Sequence, residues 1–356
     1  MKAQNTFSDY FKHTQQRYVI ACFRELRTHQ RDYPIINARF ENIVRAIDVA
    51  PNLEMVLEAT DAVVELSNFL ETRGYFSIAM PLLDHALQTA HITRDDIRLA
   101  VVLSTYGNIL VASGEFDRAE SMLEQALHVS ESQTSDDLAS LIYLRLGRLF
   151  IVRGRLSEAY DVLQKALALS RSLGESTRLV SVLLNLGSIT AGRGNLKDAA
   201  SYYDEALAIA EKSGNQRQLA EVLNNYGNLL NSRLREPKRA LELWQRGLDV
   251  ARQSGVDSVL PMLLMNLGIA ADNSGDHDLA EQYWLEGVSI CRRSGNRAHL
   301  SILLSNLGFI ELALDEYERA EDYMLEALST ARSIGHVEYV CTSLRSLGAL
   351  ETARGD

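Results

Sequence analysis

The chain has 356 residues, of which 46% are hydrophobic and 23% are charged, and its formal net charge is −11. This acidic balance is the opposite of what phosphate binding requires, so we expect no direct nucleic-acid partner. The sequence contains no stretch of about 18 apolar residues that would predict a membrane span, and its three widely spaced cysteines predict neither a disulfide framework nor a zinc site.

The N-terminal segment, 1–56, differs from the rest of the chain. Residues 7–29 and 36–50 have the apolar spacing of two helices, and Pro51 ends the second. The N-terminus lacks the apolar core of a signal peptide. We therefore predict a helical segment at 1–56, followed by a second region at 57–356, in a cytoplasmic protein.

The second region repeats one motif with a period of roughly 40 residues, and one interval is a single residue longer than the others. Each copy has a glycine, then an alanine, then a second small residue seven positions after the alanine. The glycines are Gly107, Gly147, Gly187, Gly227, Gly268, Gly308 and Gly348. A period of this size signals a repeat array in which each copy packs on its neighbours.

Each copy predicts two helices, which we name helix A and helix B. Turns such as residues 192–195 (GRGN) end helix A, and turns such as 212–215 (KSGN) end helix B. The predicted hairpins are 57–90, 97–130, 137–170, 177–210, 217–251, 258–291 and 298–331, and a last helix A spans 338–354. The array stops where a helix B would begin, which favours a segment of a longer parent chain over an array capped by its last helix.

The glycine lies in the middle of helix A, where it costs about 1 kcal/mol relative to alanine. We expect this repeated cost to be offset by close approach of helix B, whose large residues lie between its two small ones. Those large residues are Tyr203, Trp244, Trp284 and Tyr323, and the expected contact points are the glycine and the small residues of helix B. A larger side chain in place of the glycine should overpack the hairpin.

The Leu-Gly or Tyr-Gly pair in helix A, followed by alanine, an aromatic residue and alanine in helix B, resembles the tetratricopeptide repeat. The usual form of that repeat has about 34 residues, and the copies here are about six residues longer. This resemblance implies an all-α, right-handed superhelical solenoid of antiparallel helix hairpins. It also implies that helix A lines the concave face and helix B lies outside.

The N-terminal segment resembles the junction between the winged-helix module and the repeat arm of signal-transduction ATPases with numerous domains. The resemblance rests on an aromatic first helix and on Glu41-Asn42 followed by Ala46-Ile47 in the second. The chain has no GxxxxGK[ST] phosphate loop. If the resemblance holds, the ATPase part lies outside this chain.

Four consecutive repeats place an asparagine two residues before the glycine, at Asn185, Asn225, Asn266 and Asn306. Stacked repeats would align these amides along the concave face. Each amide has one acceptor and two donors, so the row can bind the backbone of an extended peptide. The alternative is that the amides bond to a neighbouring helix or to water. Further polar residues expected on this wall are Asn224, Asn228, Asn231, Asp272 and Asn273.

Arg145 and Arg148 lie one helical turn apart and form a second candidate site. With Asn108 and Ser188 they would accept a carboxylate or phosphate of a ligand. The alternative is a pair of solvated surface arginines. The eight histidines are scattered and no GxSxG turn is present, so we expect no metal, no cofactor and no enzymatic activity.

The leading functional hypothesis is the sensor arm of a regulatory signalling ATPase, which binds a protein, a peptide or a small-molecule inducer in its concave groove. The second is a free-standing scaffold that bridges protein partners. The third is a structural array that self-associates through its open C-terminal face. None of the three has a membrane partner.

Overall fold

The computed structural model describes residues 2–30, 33–334 and 337–355. Within these ranges the chain is helical and contains no strand. It divides into two compact units, unit 1 (Met1–Arg153) and unit 2 (Gly154–Asp356). Across the described residues, no helix combines the length and apolar character needed to cross a membrane.

Unit 1 begins with the two predicted N-terminal helices. Its elements are α1 (Lys2–Thr28), α2 (Tyr33–Val49), a 3₁₀ helix (Ala50–Leu53), α3 (Val56–Arg73), α4 (Phe76–Thr93), α5 (Asp96–Ser113), α6 (Phe116–Ser132) and α7 (Asp136–Val152). The rings of Tyr33 and Phe40 in α2 contact the ring of Phe69 in α3, with centroids 5.6 and 5.5 Å apart. The N-terminal segment therefore packs on the first repeat helix, and the domain boundary at residue 56 stays a prediction.

Unit 2 contains four complete hairpins between α8 and α17. Its elements are α8 (Leu156–Leu173), α9 (Ser176–Gly192), α10 (Leu196–Ser213), α11 (Gln216–Leu229), a π-helical turn (Leu230–Leu234), α12 (Pro237–Ser254), α13 (Leu260–Asn273), α14 (His277–Ser294), α15 (Arg297–Ala313), α16 (Tyr317–Ser333) and α17 (Val337–Arg354). Helices α9, α11, α13, α15 and α17 are A helices, and successive A helices contact one another. The predicted pairing of helices A and B is confirmed.

The turns between paired helices repeat one conformation. Gly194 and Gly275 adopt left-handed backbone angles, each with φ of 84°. At the equivalent position, Arg235 (φ 56°) and Asp315 (φ 61°) take the same conformation without being glycine. Asn195 then caps α10, because its Oδ1 accepts a hydrogen bond from the backbone N–H of Asp198.

The mid-helix glycines mark the closest approach of helices A and B, as predicted. A Cβ atom on Gly227 would lie 2.7 Å from Cδ1 of Trp244, and one on Gly268 would lie 2.6 Å from Cδ1 of Trp284. The space left by the glycine lets the indole reach the backbone of helix A. Nε1 of Trp244 donates to the carbonyl oxygen of Asn224 at 3.1 Å. Gly227 and Gly268 are thus each matched to a tryptophan whose indole occupies the space that a side chain would fill.

In the last complete hairpin, the glycine faces a methionine rather than the neighbouring tyrosine. A Cβ atom on Gly308 would lie 2.7 Å from Cγ of Met324, and Tyr323 is only half-buried. The residue that faces the glycine comes four positions after the helix B alanine, and Tyr323 comes three positions after Ala320. Gly348 has no helix B after it, and a Cβ atom there would meet nothing within 4 Å.

Exposed ion pairs join successive B helices of unit 2. Arg252 of α12 bonds Glu286 of α14 at 2.6 Å. Between α10 and α12, the same pair of repeat positions carries the opposite charges, and Glu211 bonds Arg246 at 2.6 Å. Exposed pairs of this kind contribute about 0–1 kcal/mol each. The charges of these pairs are reversed from one junction to the next. If one hairpin stacked in place of its neighbour, residues of like charge would meet, so the reversal disfavours that incorrect stacking.

Candidate functional site

The predicted asparagines of unit 2 lie on the surface formed by α9, α11, α13 and α15, which we name the helix A surface. Asn224, Asn225, Asn228 and Asn266 form one amide cluster across α11 and α13. Nδ2 of Asn266 donates to Oδ1 of Asn224 at 2.8 Å and to Oδ1 of Asn228 at 2.9 Å. Nδ2 of Asn224 donates to Oδ1 of Asn225 at 3.4 Å. The structure therefore brings four predicted site residues together.

The amide cluster retains hydrogen-bonding capacity at its surface. Asn224 is buried, whereas Asn225, Asn228 and Asn266 are half-buried. Within the described part of the chain, Nδ2 of Asn225, Nδ2 of Asn228 and Oδ1 of Asn266 have no protein partner. Two donor groups and one acceptor match the C=O and N–H groups of an extended peptide.

The other two asparagines of the row have different surroundings. Nδ2 of Asn185 donates to the carbonyl oxygen of Ser181 at 2.8 Å, within α9. Nδ2 of Asn306 is buried and has no hydrogen-bond partner among the described residues. A buried donor without a partner costs about 1–3 kcal/mol. The four asparagines therefore differ in their hydrogen-bonding surroundings, although they occupy the same repeat position. Their binding role stays a prediction.

Two exposed apolar side chains lie on the same surface and were missed in the sequence. Ile269 and Phe309 follow the glycines of their repeats and are 37% and 45% exposed. Asn228 occupies the same repeat position and reaches Asn266 of the next A helix, so this position faces the helix A surface. The sequence did contain an indication of them. The repeat position directly after the glycine is polar in earlier repeats, as at Ser188 and Asn228, and becomes apolar in these two.

Arg145 and Arg148 belong to unit 1 and already have partners there. Arg145 donates to Oγ of Ser104 at 2.6 Å, and Arg148 donates to Oδ1 of Asn108 at 3.4 Å. Asn108 in turn donates to Oε2 of Glu71 at 2.6 Å. Burial raises the pKa of the Glu71 carboxyl, and the two arginines oppose that rise. Their role in binding an external anion stays a prediction. Such an anion would compete with the Glu71 carboxylate for the two arginines.

The remaining polar residues that were predicted for the concave face, Asn231, Asp272 and Asn273, have two kinds of surroundings. Oδ1 of Asp272 lies 2.8 Å from Nδ1 of His277. Asn231 and Asn273 line a pocket bordered by α12 and α14. In the ranges that the structure describes, no three or more His, Cys, Asp or Glu side chains form a group that would hold a metal ion.

Two family models match the repeat region. One is described as the MalT-like TPR region and matches residues 109–271, and the other is a tetratricopeptide repeat model that matches residues 259–333. Among curated proteins, none matches the sequence.

Several solved structures share the fold at low sequence identity. A Rap protein complexed with Competence and Sporulation Factor has a TM-score of 0.61 and 16% identity, over 92% of this chain and 99% of that chain. The apo form of RapI has a TM-score of 0.60 and 15% identity, over 79% and 98%. A signal transduction ATPase with numerous domains and a tetratricopeptide repeat sensor, from Pyrococcus horikoshii, has a TM-score of 0.58 and 16% identity, over 90% and 49%.

At such identities the structural matches show the fold, and they confirm the predicted class of an all-α solenoid of antiparallel helix hairpins. Together the family models cover residues 109–333, which contain five of the seven repeated glycines. The matched region, residues 109–333, is therefore an array of tetratricopeptide repeats, in a variety whose repeats are longer than usual.

Proposed function

We propose that the helix A surface of unit 2 binds an extended peptide segment of a protein partner. The amide cluster carries the proposal, because it leaves two donor groups and one acceptor available beside the exposed side chain of Ile269. One repeat later, Asn306 and the exposed Phe309 occupy the same two repeat positions as Asn266 and Ile269. Amides would bond the peptide backbone, and the apolar residues would receive its side chains.

The size of the expected effect follows from the number of amides. Three hydrogen bonds at about 1 kcal/mol each amount to about 3 kcal/mol, or roughly a hundred-fold in affinity. Asn224 is excluded from this sum because its side chain is buried and serves as an acceptor for Asn266.

A displayed library of unstructured peptides, selected against the wild-type protein, tests the proposal. Affinities of the selected peptides would be measured for the wild type and for the Asn225→Ala, Asn228→Ala, Asn266→Ala triple variant. We expect the triple variant to bind about a hundred-fold more weakly while its melting temperature changes little. The matched control is Asn52→Ala with Gln282→Ala, two exposed amides outside the helix A surface. Equal affinity of triple variant and wild type would contradict the proposal.

For the biological role, we propose the sensor arm of a regulatory signalling ATPase in the cytoplasm. The match to the MalT-like repeat region and the similarity to the archaeal ATPase with a repeat sensor support this role. The alignment spans 49% of that ATPase. A protein, peptide or small-molecule inducer that binds one state of an attached ATPase more tightly would shift its equilibrium by that difference in affinity.

A free-standing scaffold is the second candidate, favoured by one observation. The alignment with the Rap protein complex spans 99% of the Rap chain, so the shared fold accounts for nearly all of that chain. Sequencing the gene on both sides separates the two roles. A reading frame continuous with a phosphate loop and a winged helix supports the sensor arm. A native start at Met1 and a stop codon after Asp356 support the scaffold.

A further inference from the structure

Neighbouring hairpins are bridged beside helix B by an arginine at several junctions. The partner of the arginine directly follows the first small residue of helix B. The arginine comes from the next hairpin, either from the end of helix A or from the first turn of helix B. The bridges are Glu120–Arg153 (2.7 Å), Glu281–Arg319 (3.2 Å), Glu321–Arg354 (2.8 Å) and Tyr160–Arg193, in which the guanidinium lies 4.7 Å from the ring centroid.

One junction has neutral side chains at all the bridging positions. Between the hairpins α11–α12 and α13–α14, the partner position holds Leu241, and the two positions that supply an arginine elsewhere hold Ser274 and Leu279. The side chains of Leu241 and Leu279 are 46% and 37% exposed. Because no arginine spans this junction from those positions, the two leucines stay open to solvent.

A pocket of about 830 Å³ lies at this junction. Leu241, Leu279 and Tyr283 contribute apolar surface, and Asn231 and Asn273 contribute amides. The volume falls within the range of roughly 300–1,000 Å³ that is usual for small-molecule sites. Asn231 belongs to the π-helical turn at Leu230–Leu234, in the one repeat that is a residue longer than the others.

The charges around the pocket cancel. Among the lining residues, Lys238 and Arg246 are basic and Glu242 and Asp249 are acidic, so their formal charges sum to zero. A charged ligand would therefore meet no net complementary charge. An apolar body would be accepted by the leucines and the tyrosine ring, and a polar end would find amide donors and acceptors.

We propose that this pocket binds a small, uncharged amphipathic molecule. Its apolar body would lie against Leu241, Leu279 and Tyr283, and its hydrogen-bonding end would reach Asn231 and Asn273. The site is separate from the amide cluster on the helix A surface, so it does not depend on peptide binding there. Leucine in place of the bridging residues leaves room for the ligand at this junction.

The test uses Nile red, an uncharged dye whose fluorescence rises in apolar surroundings, with the full chain. We expect saturable binding of one dye per wild-type chain. The bridge variant, Leu241→Glu with Leu279→Arg, places the Glu281–Arg319 arrangement in this junction and leaves the net charge unchanged. We expect it to bind at least about ten-fold more weakly, a loss of about 1.4 kcal/mol.

Three comparisons complete the design. Leu285→Glu with Leu325→Arg makes the same charge change at exposed leucines outside the pocket, and it should bind like the wild type. The Asn225, Asn228, Asn266 triple alanine variant should also bind like the wild type. If the bridge variant fails to fold by circular dichroism, Ser274→Arg restores the arginine found at Arg153 and Arg193 and should weaken binding by itself.

The proposal is overturned if the wild type shows no saturable binding, or if the folded bridge variant or Ser274→Arg binds as tightly as the wild type. It is also overturned if the control pair loses binding to the same extent, since the dye would then bind exposed leucines rather than the pocket. Loss of peptide affinity with intact dye binding, or the reverse, separates the failure of one site from that of the other.

Discussion

The position of the Trp284 indole depends on the absence of a side chain at Gly268. A Cβ atom on Gly268 would lie 2.6 Å from both Cδ1 and Cε2 of Trp284, and the ring nitrogen between them donates to the carbonyl oxygen of Met265 at 3.2 Å. Gly268→Ala would displace the indole and break this bond. We expect it to lower the free energy of unfolding by about 1–3 kcal/mol, measured by urea denaturation.

Gly348 provides the matched control in the same repeat position. A Cβ atom there meets nothing within 4 Å, so Gly348→Ala should stabilise α17 by up to about 1 kcal/mol through helix propensity. Similar effects of the two substitutions would show that the glycines do not act through helix B.

Glu71 provides a pH-dependent test. Burial raises the pKa of its carboxyl, despite the nearby Arg148 and Arg145. Between the unfolded pKa of about 4.3 and the higher folded value, the native state binds more protons than the unfolded state, so this group makes stability fall as pH rises. Glu71→Gln should remove that fall and be at least as stable as the wild type at neutral pH. Thermal melts from about pH 4 to pH 8 measure it.

The control for Glu71 is Glu58→Gln, which changes an exposed carboxylate of the same helix and should leave the pH profile of the wild type unchanged. A parallel pH profile for Glu71→Gln and the wild type would contradict the assignment of the buried charge.

Glu311 is a buried carboxylate, and the charge of one arginine offsets the cost of burying it. It is 1% exposed, and its Oε1 forms an ion pair with Arg319 at an N···O distance of 2.7 Å. Arg319→Ala would leave the carboxylate buried and unpaired. We expect a loss of about 2 kcal/mol in chemical denaturation at neutral pH, below the value for fully buried pairs because Arg319 is 54% exposed.

Adding Glu311→Gln to Arg319→Ala should recover most of that loss, because an amide carries no charge to desolvate. If the double variant is as unstable as Arg319→Ala alone, the cost comes from lost packing or from the Glu281 bridge instead.

Single positions were predictable from the sequence where the repeat itself supplied the constraint. The glycines were predicted because a repeated cost needs a repeated contact, and Trp284 shows that contact. The partners of the asparagines were not predictable, because they depend on which amides of neighbouring A helices come within hydrogen-bonding distance of one another. Asn266 reaches Asn224 and Asn228, whereas Asn185 bonds within its own helix.

Among the elements, the turns after the A helices show how one backbone requirement is met by different residues. Arg235 has a φ of 56°, whereas Gly194 and Gly275 occupy the equivalent position in other repeats. A left-handed conformation costs an L-residue about 1–2 kcal/mol. Arg235→Gly should therefore raise the free energy of unfolding by about 1 kcal/mol, measured by urea denaturation.

The reciprocal change, Gly275→Ala, should lower stability by a similar amount, since its backbone has a φ of 84°. A stabilising Gly275→Ala would contradict the assumption that this turn fixes the hairpin geometry.

The bounds of the hairpins were predictable to within a few residues, whereas the conformation around the inserted residue was not. Pro237 begins α12, in agreement with the tolerance of a first-turn proline. The sequence located the extra residue of the longer repeat beside Pro237. The structure absorbs it as a π-helical turn at Leu230–Leu234 rather than as a longer loop. Both solutions have the same length, so spacing alone does not separate them.

For the molecule as a whole, the repeat fixes the fold and leaves the ligand open. Regularly spaced glycines already require stacked hairpins, and the family models and the shared fold agree. Under both binding proposals, specificity lies where repeats differ from one another. Ile269 and Phe309 replace polar residues on the helix A surface, and Leu241 and Leu279 replace bridging residues beside helix B.

The most direct test of the peptide-binding proposal is site-specific photocrosslinking with a selected peptide. A benzophenone amino acid would replace Phe309 on the helix A surface and, separately, Leu325 on α16, which is similarly exposed. We predict a crosslink from position 309, competed by unlabelled peptide, and none from position 325. Efficient crosslinking from position 325 with none from 309 would place the peptide on the helix B side and contradict the central claim.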